Sequence, residues 1–229
     1  MPSPVIVALD YESEAQALAL VARLGPGAEF YKVGLQLLVE AGPSVVRELV
    51  RAGKRVFLDL KLHEIPNSVA GGVTAAGKLG ASFVTVHACA GSAVLKAAVA
   101  AAKPFPELRV LALTVITSLT DEQLPEVGLA PSVRTQVERL ARLSAACGCH
   151  GVVASANEAA FLKALLPAGS LIVTPGIQLP ATAANDQARI ATPQLAARAG
   201  SSHIIVGRAV TAAEDPVAAL AAVAQAFAP

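Results

Sequence analysis

The chain alternates short apolar runs with longer stretches in which apolar residues recur at helical spacing. The runs are rich in β-branched residues, and several contain almost no polar residue, which is typical of strands buried on both faces of a sheet. The eight predicted strands are Val5–Leu9, Phe30–Val33, Val56–Leu60, Phe83–His87, Val110–Val115, Gly151–Ala154, Leu171–Thr174 and His203–Val206. Segments of helical period lie between them; the clearest are Ser44–Ala52, Val133–Ala146 and Pro216–Phe227. The pattern therefore predicts strands and helices in regular alternation.

Prolines and glycines mark the ends of the predicted helices. Three prolines suit the first turn of a helix, where no backbone donor is needed: Pro43, Pro131 and Pro216. Asp215 is a suitable N-cap for the last of these helices. Four glycines precede predicted strands, where a left-handed residue commonly ends a helix: Gly53, Gly80, Gly148 and Gly200.

Eight strands that alternate with helices predict a parallel α/β fold. The strand count and the length of 229 residues favour a (β/α)₈ TIM barrel, in which residues 1–229 form a single domain. A doubly wound sheet is the alternative. That fold usually carries a Gly-x-Gly-x-x-Gly segment after the first strand, and the chain has neither this segment nor a Walker A sequence.

The composition narrows the classes of function. Net charge is +1 with acids and bases mixed along the chain, so no basic stripe indicates a nucleic-acid partner. No charge-free apolar run reaches the ~18 residues of a membrane span, because Lys96 and Lys103 interrupt the richest region. The N-terminus lacks a basic segment followed by a long apolar one. We therefore expect a cytoplasmic enzyme that acts on a small molecule.

Cysteine and histidine positions leave a metal site possible but disfavour it. Cys89, Cys147 and Cys149 are too few and too irregularly spaced for a disulfide framework or a zinc site, and we expect buried thiols. The four histidines lack the close helical spacing of a zincin motif, and no carboxylate cluster accompanies them: His63, His87, His150 and His203.

Asp59 and Lys61 stand two residues apart at the end of the third predicted strand. Residues i and i+2 of a strand share a face, so we expect the carboxylate and the ammonium side by side, about 7 Å apart along the backbone. Each charge favours the ionised form of the other. Pro66 lacks the N–H that a central strand needs, so the strand should stop before it. A fixed pair of opposite charges at a strand exit indicates catalysis.

In a (β/α)₈ barrel the functional site lies at the carboxyl ends of the strands. Polar residues end or follow most of the predicted strands: Asp10, Lys32, Asp59, Lys61, His87, Thr114, Thr117, Ser155, Gly207 and Arg208. Any one of them could be an ordinary surface residue. Four charged groups from the first three strands nevertheless converge on one mouth, which favours a functional cluster.

The last strands predict a phosphate site. Gly207 lets backbone N–H groups approach an anion, Arg208 follows it, and barrels often bind phosphate after strands 7 and 8. The segment Pro175–Thr192 is long for a connection between a strand and a helix, and we expect a lid over the substrate. Its glutamines, Gln178 and Gln187, can donate to phosphate oxygens without adding charge.

Seven short segments, in this order and spacing, resemble the orotidine 5′-phosphate decarboxylase family over nearly the full length of the chain. They are Val7–Asp10, Lys32–Gly34, Asp59–Lys61 with Ile65–Asn67, Leu113–Ser118, Thr174–Ile177, Asp186–Gln187 and Val206–Arg208. The resemblance implies decarboxylation of orotidine 5′-monophosphate to UMP, the last step of de novo pyrimidine nucleotide synthesis. It also implies a reaction without a cofactor or a metal.

The resemblance assigns roles to individual residues. Lys61 would protonate C6 of the pyrimidine, and Asp59 would face the substrate carboxylate. Lys32 would join their charge network and touch the ribose, and Glu64 would reach the partner's site in a homodimer; these four form the implied catalytic set. The implied substrate-binding set is Asp10, Lys32, Asp59, Lys61, Glu64, Ile65, Asn67, Ser68, Thr117, Gln178, Gln187, Gly207 and Arg208.

Three positions depart from the usual family pattern. Glu64 replaces an aspartate, which keeps the charge and adds a methylene. Gln178 replaces an arginine found in many bacterial members, which leaves Arg208 and backbone donors to face the phosphate. Ser68 replaces a common threonine and keeps the hydroxyl.

Two other functions remain open at this stage. Sugar-phosphate decarboxylases on the same barrel, such as the 3-keto-gulonate 6-phosphate enzymes, also carry Asp-x-Lys on the third strand and usually need magnesium. The continuation from His63 to Asn67 favours the nucleotide enzyme. A catalytically silent barrel that binds a nucleotide is the other alternative, and the joint presence of Lys32, Asp59 and Lys61 argues against it.

Overall fold

A computed structural model describes residues 3–130, 132–179 and 191–228. Eight parallel strands in these residues close into a barrel in chain order, and β8 pairs with β1. The strands are β1 Val5–Ala8, β2 Phe30–Val33, β3 Arg55–Leu62, β4 Phe83–His87, β5 Arg109–Leu113, β6 Gly151–Val153, β7 Leu171–Ile177 and β8 His203–Val206. The closed barrel confirms the predicted (β/α)₈ fold and excludes the doubly wound sheet, whose edges are open.

Helices cover the outside of the barrel. They are α1 Glu14–Leu24, α2 Leu35–Ala41, α3 Ser44–Arg51, α4 Pro66–Lys78, α5 Ser92–Ala102, α6 Val133–Ala146, α7 Ala156–Leu165, α8 Pro193–Ala199, α9 Arg208–Thr211 and α10 Pro216–Phe227. β2 and β8 are each followed by two helices instead of one. Within the described ranges, no helix has both the length and the hydropathy needed to cross a bilayer.

The hydrophobic pattern located every strand end to within three residues. β2, β4 and β8 have the predicted bounds. β3 and β7 run further than predicted, because both contain irregular pairing that continues past the apolar run.

The predicted helix boundaries are largely confirmed. The Asp215 side chain accepts from the N–H groups of Val217 and Ala218 and caps α10, whose first residue is Pro216. Pro43 stands one residue before α3 rather than inside it, and Pro131 lies outside the described residues. The four glycines before strands all have positive φ, between 73° and 88°: Gly53, Gly80, Gly148 and Gly200.

The strands contribute to two apolar cores. One set of strand residues packs outward against the helices and forms the larger core. A second set fills the inside of the barrel: Ile6, Ala8, Phe30, Phe57, Phe83, Leu111, Leu113, Val153, Val173 and Ile205. The barrel is therefore a packed core and not a pore.

Aromatic side chains close the amino-terminal end of the barrel interior. The ring of Phe83 lies edge-on to Phe30 and Phe57, at centroid distances of 4.9 and 5.8 Å. The Arg55 guanidinium lies 4.0 Å from the centroid of Phe30. His203 packs against Phe83 at 5.3 Å, and burial, with a smaller effect of Arg55, lowers its pKa to about 4.

Candidate active site

The carboxyl end of β3 leaves regular strand geometry where the sequence singled out two charges. Leu58 pairs with Val84 of β4 and the next pair is Leu62 with Val86, so residues 59–61 of β3 face one residue of β4. Lys61 has a φ of 49°, in the left-handed region. This bulge changes the directions of the Asp59 and Lys61 side chains. The left-handed backbone at Lys61 destabilises the folded state by about 1 kcal/mol. The expected regular i, i+2 geometry was wrong, although the two charges do meet.

Thr85 of β4 holds the bulge in place. Its hydroxyl donates to Asp59 Oδ1 at 2.9 Å and accepts from the backbone N–H of Lys61 at 2.8 Å. Thr85 is fully buried, so water does not compete for either bond. One side chain therefore fixes both the Asp59 carboxylate and the strained backbone of Lys61.

Four charged side chains alternate in sign across the mouth of the barrel; Asp10, Lys32, Asp59 and Lys61 are called the charge chain below. Lys32 Nζ lies 2.9 Å from Asp10 Oδ1 and 3.9 Å from Asp59 Oδ2. Lys61 Nζ lies 2.8 Å from the same Asp59 oxygen. The Lys32 and Asp59 side chains are 12% and 10% exposed, whereas that of Lys61 is 36% exposed. Lys61 is therefore the more accessible ammonium of the two that flank Asp59.

Gly34 leaves the space that the Lys32 ammonium occupies. A Cβ on Gly34 would lie 2.9 Å from Lys32 Nζ and 3.3 Å from Asp10 Oδ1. The backbone of Gly34 has a φ of −98°, which any residue can adopt. A larger residue at position 34 would therefore displace the Lys32 ammonium, whereas the turn itself does not need glycine.

The charge chain opens into a cavity of about 670 Å³ at the carboxyl ends of the strands. This volume lies in the range of small-molecule sites. The described residues that line it are Ala8, Asp10, Lys32, Asp59, Lys61, Leu113, Ile116, Thr117, Ser118, Val153, Pro175, Gly176, Ile177, Gln178, Ile205, Gly207, Arg208, Ala209 and Thr211. One wall is charged, and apolar residues of the inner core form the floor.

Across the mouth from Asp59 and Lys61, the ends of β7, four strands away from β3, and of the neighbouring β8 supply a second polar wall. It comprises Gly176, Gln178, Gly207 and Arg208. Between Thr174 and Ile177, β7 gains one residue over β8, and Gly176 there has a φ of 74°. Ala191 returns to this strand: its N–H donates to the Gly176 carbonyl at 3.1 Å, and Gln178 N–H donates to its carbonyl at 2.9 Å. These hydrogen bonds join the start and the end of the connection between β7 and α8. They lie beside Gly207, the residue before α9.

Residues 3–223 match the family model described as "Orotidine 5'-phosphate decarboxylase / HUMPS family". The chain belongs to this family. The match covers all eight strands, the charge chain and the second polar wall.

Individual relatives agree with the family match. Orotidine 5′-phosphate decarboxylase of Sodalis glossinidius is 47% identical over 231 residues, which cover 99% of this chain and 91% of that protein. The enzyme of the same name from Laribacter hongkongensis is 49% identical, covering 96% of this chain and 91% of its own. The crystal structure of the Lactobacillus acidophilus enzyme superposes with a TM-score of 0.88 at 38% identity, covering 99% of this chain and all of the other. This protein is an enzyme of the carboxy-lyase class.

Several residues implied by membership of the orotidine 5′-phosphate decarboxylase family lie outside the cavity of their own chain. Glu64 and Ile65 follow β3, and Asn67 and Ser68 lie in the first turn of α4. All four are exposed, Ile65 to 62%. The Ser68 hydroxyl donates to the Glu64 carboxylate and, with a weaker contribution from the backbone of Ile65, lowers its pKa. Gln187 lies outside the described residues.

Three polar residues that the sequence placed at the mouth have other roles. Thr114 donates to the Val153 carbonyl at 3.2 Å. Ser155 caps α7 by accepting from Asn157 N–H. His87 stacks on His63 instead of lining the cavity.

His63, His87 and Cys89 form a compact group beside the mouth, called the His–Cys cluster below. Cys89 Sγ lies 2.8 Å from His87 Nδ1 and 4.0 Å from His63 Nε2. The expectation that no histidines share a possible ligand set was wrong for this pair, and the expected burial of Cys89 was wrong because it is exposed. Burial lowers the pKa of His87, and His63 and Lys61 lower it further.

Sequence reasoning missed Thr85 and Gly34 as parts of the site. A single threonine inside an apolar strand is unremarkable, since its two partners lie 24 and 26 residues away. The available signal was that Thr85 precedes the strand end by two residues, on the inward face that carries the charges of β2 and β3.

Proposed function

We propose that this protein converts orotidine 5′-monophosphate to UMP and CO₂ without a cofactor, with Lys61 as the proton donor. The observation that carries the proposal is the charge chain, in which Asp59 holds the Lys61 ammonium at 2.8 Å on the wall of the cavity. Family membership supports the substrate class, because relatives that are 47% and 49% identical carry this activity in their names.

The chemistry needs a cation at the reacting carbon. The bond between C6 and the carboxylate breaks, CO₂ leaves, and the electron pair stays on C6 in the plane of the ring. At 4 Å, opposite unit charges attract by about 4 kcal/mol at an effective dielectric of 20. Lys61 stabilises the developing carbanion and then transfers one ammonium proton to C6, which completes UMP.

Asp59 and Lys32 prepare this step. Asp59 fixes the Lys61 ammonium and faces the carboxylate of the substrate, so that repulsion is relieved when CO₂ departs. Lys32 lies between Asp10 and Asp59 and balances their charge, which leaves Lys61 as the proton donor. Hydrogen bonds hold Asp59, Lys32 and Lys61 in place before the substrate arrives. Little reorganisation is therefore needed in the transition state.

The second polar wall is the proposed phosphate subsite. Gly207, Arg208 and Gln178 line the same cavity as the charge chain, and Gln187 is the fourth proposed ligand. A guanidinium and amide donors suit a phosphate dianion. Binding energy from the phosphate would hold the pyrimidine in register with Lys61.

The middle of the cavity is the proposed ribose and base subsite. Asp10 is the exposed end of the charge chain and would accept from a ribose hydroxyl. Thr117 is buried, lines the cavity and would face the pyrimidine or its ribose.

A homodimer remains a prediction, as do a cytoplasmic location and a single domain over residues 1–229. Glu64, Ile65, Asn67 and Ser68 are exposed outside their own cavity, which supports a role in a partner's site. The Ser68 side chain lowers the pKa of Glu64 and so favours its carboxylate form.

The decisive experiment follows the ultraviolet absorbance of orotidine 5′-monophosphate mixed with purified protein. We expect the spectrum of the substrate to convert to that of UMP, at a rate unchanged by prior dialysis against EDTA. The rival sugar-phosphate reaction would leave the nucleotide intact and would depend on magnesium. A silent barrel would bind the nucleotide without any spectral conversion.

Lys61→Ala tests the assigned role. We expect kcat to fall by about 10⁴-fold, because both carbanion stabilisation and the proton are lost, while circular dichroism shows the parent fold. Lys96→Ala, an exposed lysine on α5 away from the cavity, is the matched control and should keep full activity. Turnover of Lys61→Ala within tenfold of the parent would refute the role of Lys61.

A further inference from the structure

We propose that the His–Cys cluster is a binding site for a soft divalent transition-metal cation, with Zn²⁺ as the best fit. This site lies outside the substrate cavity and takes no part in the decarboxylation. Its three ligand atoms, His63 Nε2, His87 Nδ1 and Cys89 Sγ, all lie within 4.8 Å of one another.

The donor set selects the kind of cation. Two imidazole nitrogens and one thiolate are the ligands that zinc and its neighbours prefer, whereas Mg²⁺ and Ca²⁺ prefer oxygen. Three protein ligands leave a fourth tetrahedral position for water, and the exposure of His63 and Cys89 gives the cation a path from solvent.

The spacing is close to that of a bound ion. Zinc bonds of roughly 2.0–2.3 Å in a tetrahedron place a sulfur and a nitrogen about 3.5 Å apart. The two sulfur–nitrogen distances, 2.8 and 4.0 Å, fall on either side of that value. Rotation of the exposed His63 and Cys89 side chains would move both distances toward that value.

The backbone holds the three ligands together. His87 ends β4, and Cys89 follows it in a short 3₁₀ turn. His63 follows β3 directly, one residue after the pair formed by Leu62 and Val86. A cation here would join the exits of two neighbouring strands and clamp the segment that carries Glu64.

Cobalt is the suitable probe, because Co²⁺ occupies zinc sites and reports its ligands by absorbance. Metal-free protein without an affinity tag is titrated with Co²⁺. We expect visible bands of a tetrahedral ion and a thiolate-to-cobalt charge-transfer band, saturating at one Co²⁺ per chain and lost on addition of Zn²⁺.

Three variants assign the ligands. Cys89→Ser should abolish the charge-transfer band, and His63→Asn should weaken the apparent affinity by about tenfold or more. Cys149→Ser removes another thiol of this chain and should leave the band unchanged. Because residues 63 and 89 are exposed, the variants should unfold at the same temperature as the parent. No charge-transfer band in the parent, or a band that survives Cys89→Ser, would overturn the proposal.

Discussion

Two layers of inward-facing side chains lie next to each other inside the barrel, and the same three strands supply both. The first layer is Phe30, Phe57 and Phe83, packed edge to face. Two residues later on each strand come Lys32, Asp59 and Thr85. A step of two residues keeps the same face and moves about 7 Å toward the mouth. The barrel therefore separates stability from chemistry by a single step along each strand.

The two layers also differ in how they are held. Aromatic packing tolerates small shifts, because dispersion is spread over many contacts. The polar layer depends on a few directional bonds, of which Thr85 makes two. Substitutions in the polar layer should therefore change activity more than stability, and substitutions in the aromatic layer should do the opposite.

Among substitutions within the two layers, the largest effect is expected from Asp59→Asn. The amide keeps the shape but leaves Lys32 and Lys61 without their shared anion, so kcat should fall by about 10³-fold. The free energy of unfolding should change by less than about 1.5 kcal/mol. Steady-state kinetics and urea denaturation test both parts, and activity within tenfold of the parent would contradict the separation of the layers.

Thr85→Val should come next. The isosteric change removes a hydrogen bond to a carboxylate and leaves the backbone N–H of Lys61 without its partner, which should lower the free energy of unfolding by about 1 kcal/mol. Because Lys61 loses its fixed position, kcat should fall about 30-fold with little change in KM. Thr85→Ser keeps the hydroxyl and should restore most of the activity. If the serine variant were as impaired as the valine variant, the role of the hydroxyl would be excluded.

Phe83→Leu probes the aromatic layer. Loss of the edge-to-face contacts with Phe30, Phe57 and His203 and of some volume should lower the free energy of unfolding by about 1.5 kcal/mol. We expect kcat per folded molecule to stay within twofold of the parent. A large loss of activity in fully folded Phe83→Leu would show that the two layers are coupled.

The smallest effect concerns pH and His203 beside the aromatic layer. Burial lowers the pKa of His203 from 6.5 to about 4, so between these values the unfolded chain binds a proton that the folded chain excludes. The free energy of unfolding should therefore fall as pH decreases from about 6.5 to about 4.

In His203→Asn this part of the pH dependence disappears. Between pH 6.5 and about 4, the free energy of unfolding of the parent should therefore fall by about 1–2 kcal/mol more than that of the variant. The figure is modest because His203 is only partly buried. Urea denaturation at a series of pH values measures it. Parallel curves for the two proteins would exclude His203 as a source of acid sensitivity.

The sequence predicted the barrel well because its signal is local. Buried parallel strands are apolar runs, and the left-handed residues that end helices are glycines, as at Gly53 and Gly200. The pair Asp59 and Lys61 was predicted for the same reason, since both residues stand together in the chain.

The parts that sequence reasoning missed depend on contacts between strands. The bulge at Lys61 depends on Thr85, and the sequence around either residue gives no sign that the two are in contact. Cys89 joins His63 across 26 residues because β3 and β4 are neighbours, a distance that motif spacing does not reveal. Glu64 remains a prediction, because its proposed partner belongs to a second copy of the chain.

The left-handed backbone at Lys61 also bears on laboratory evolution. Glycine and asparagine adopt a left-handed conformation with little strain. Selection for heat resistance alone would therefore favour either residue at position 61. Such a selection would discard the proposed proton donor while it improved the barrel. Directed evolution of this enzyme for thermostability must therefore measure turnover in every round.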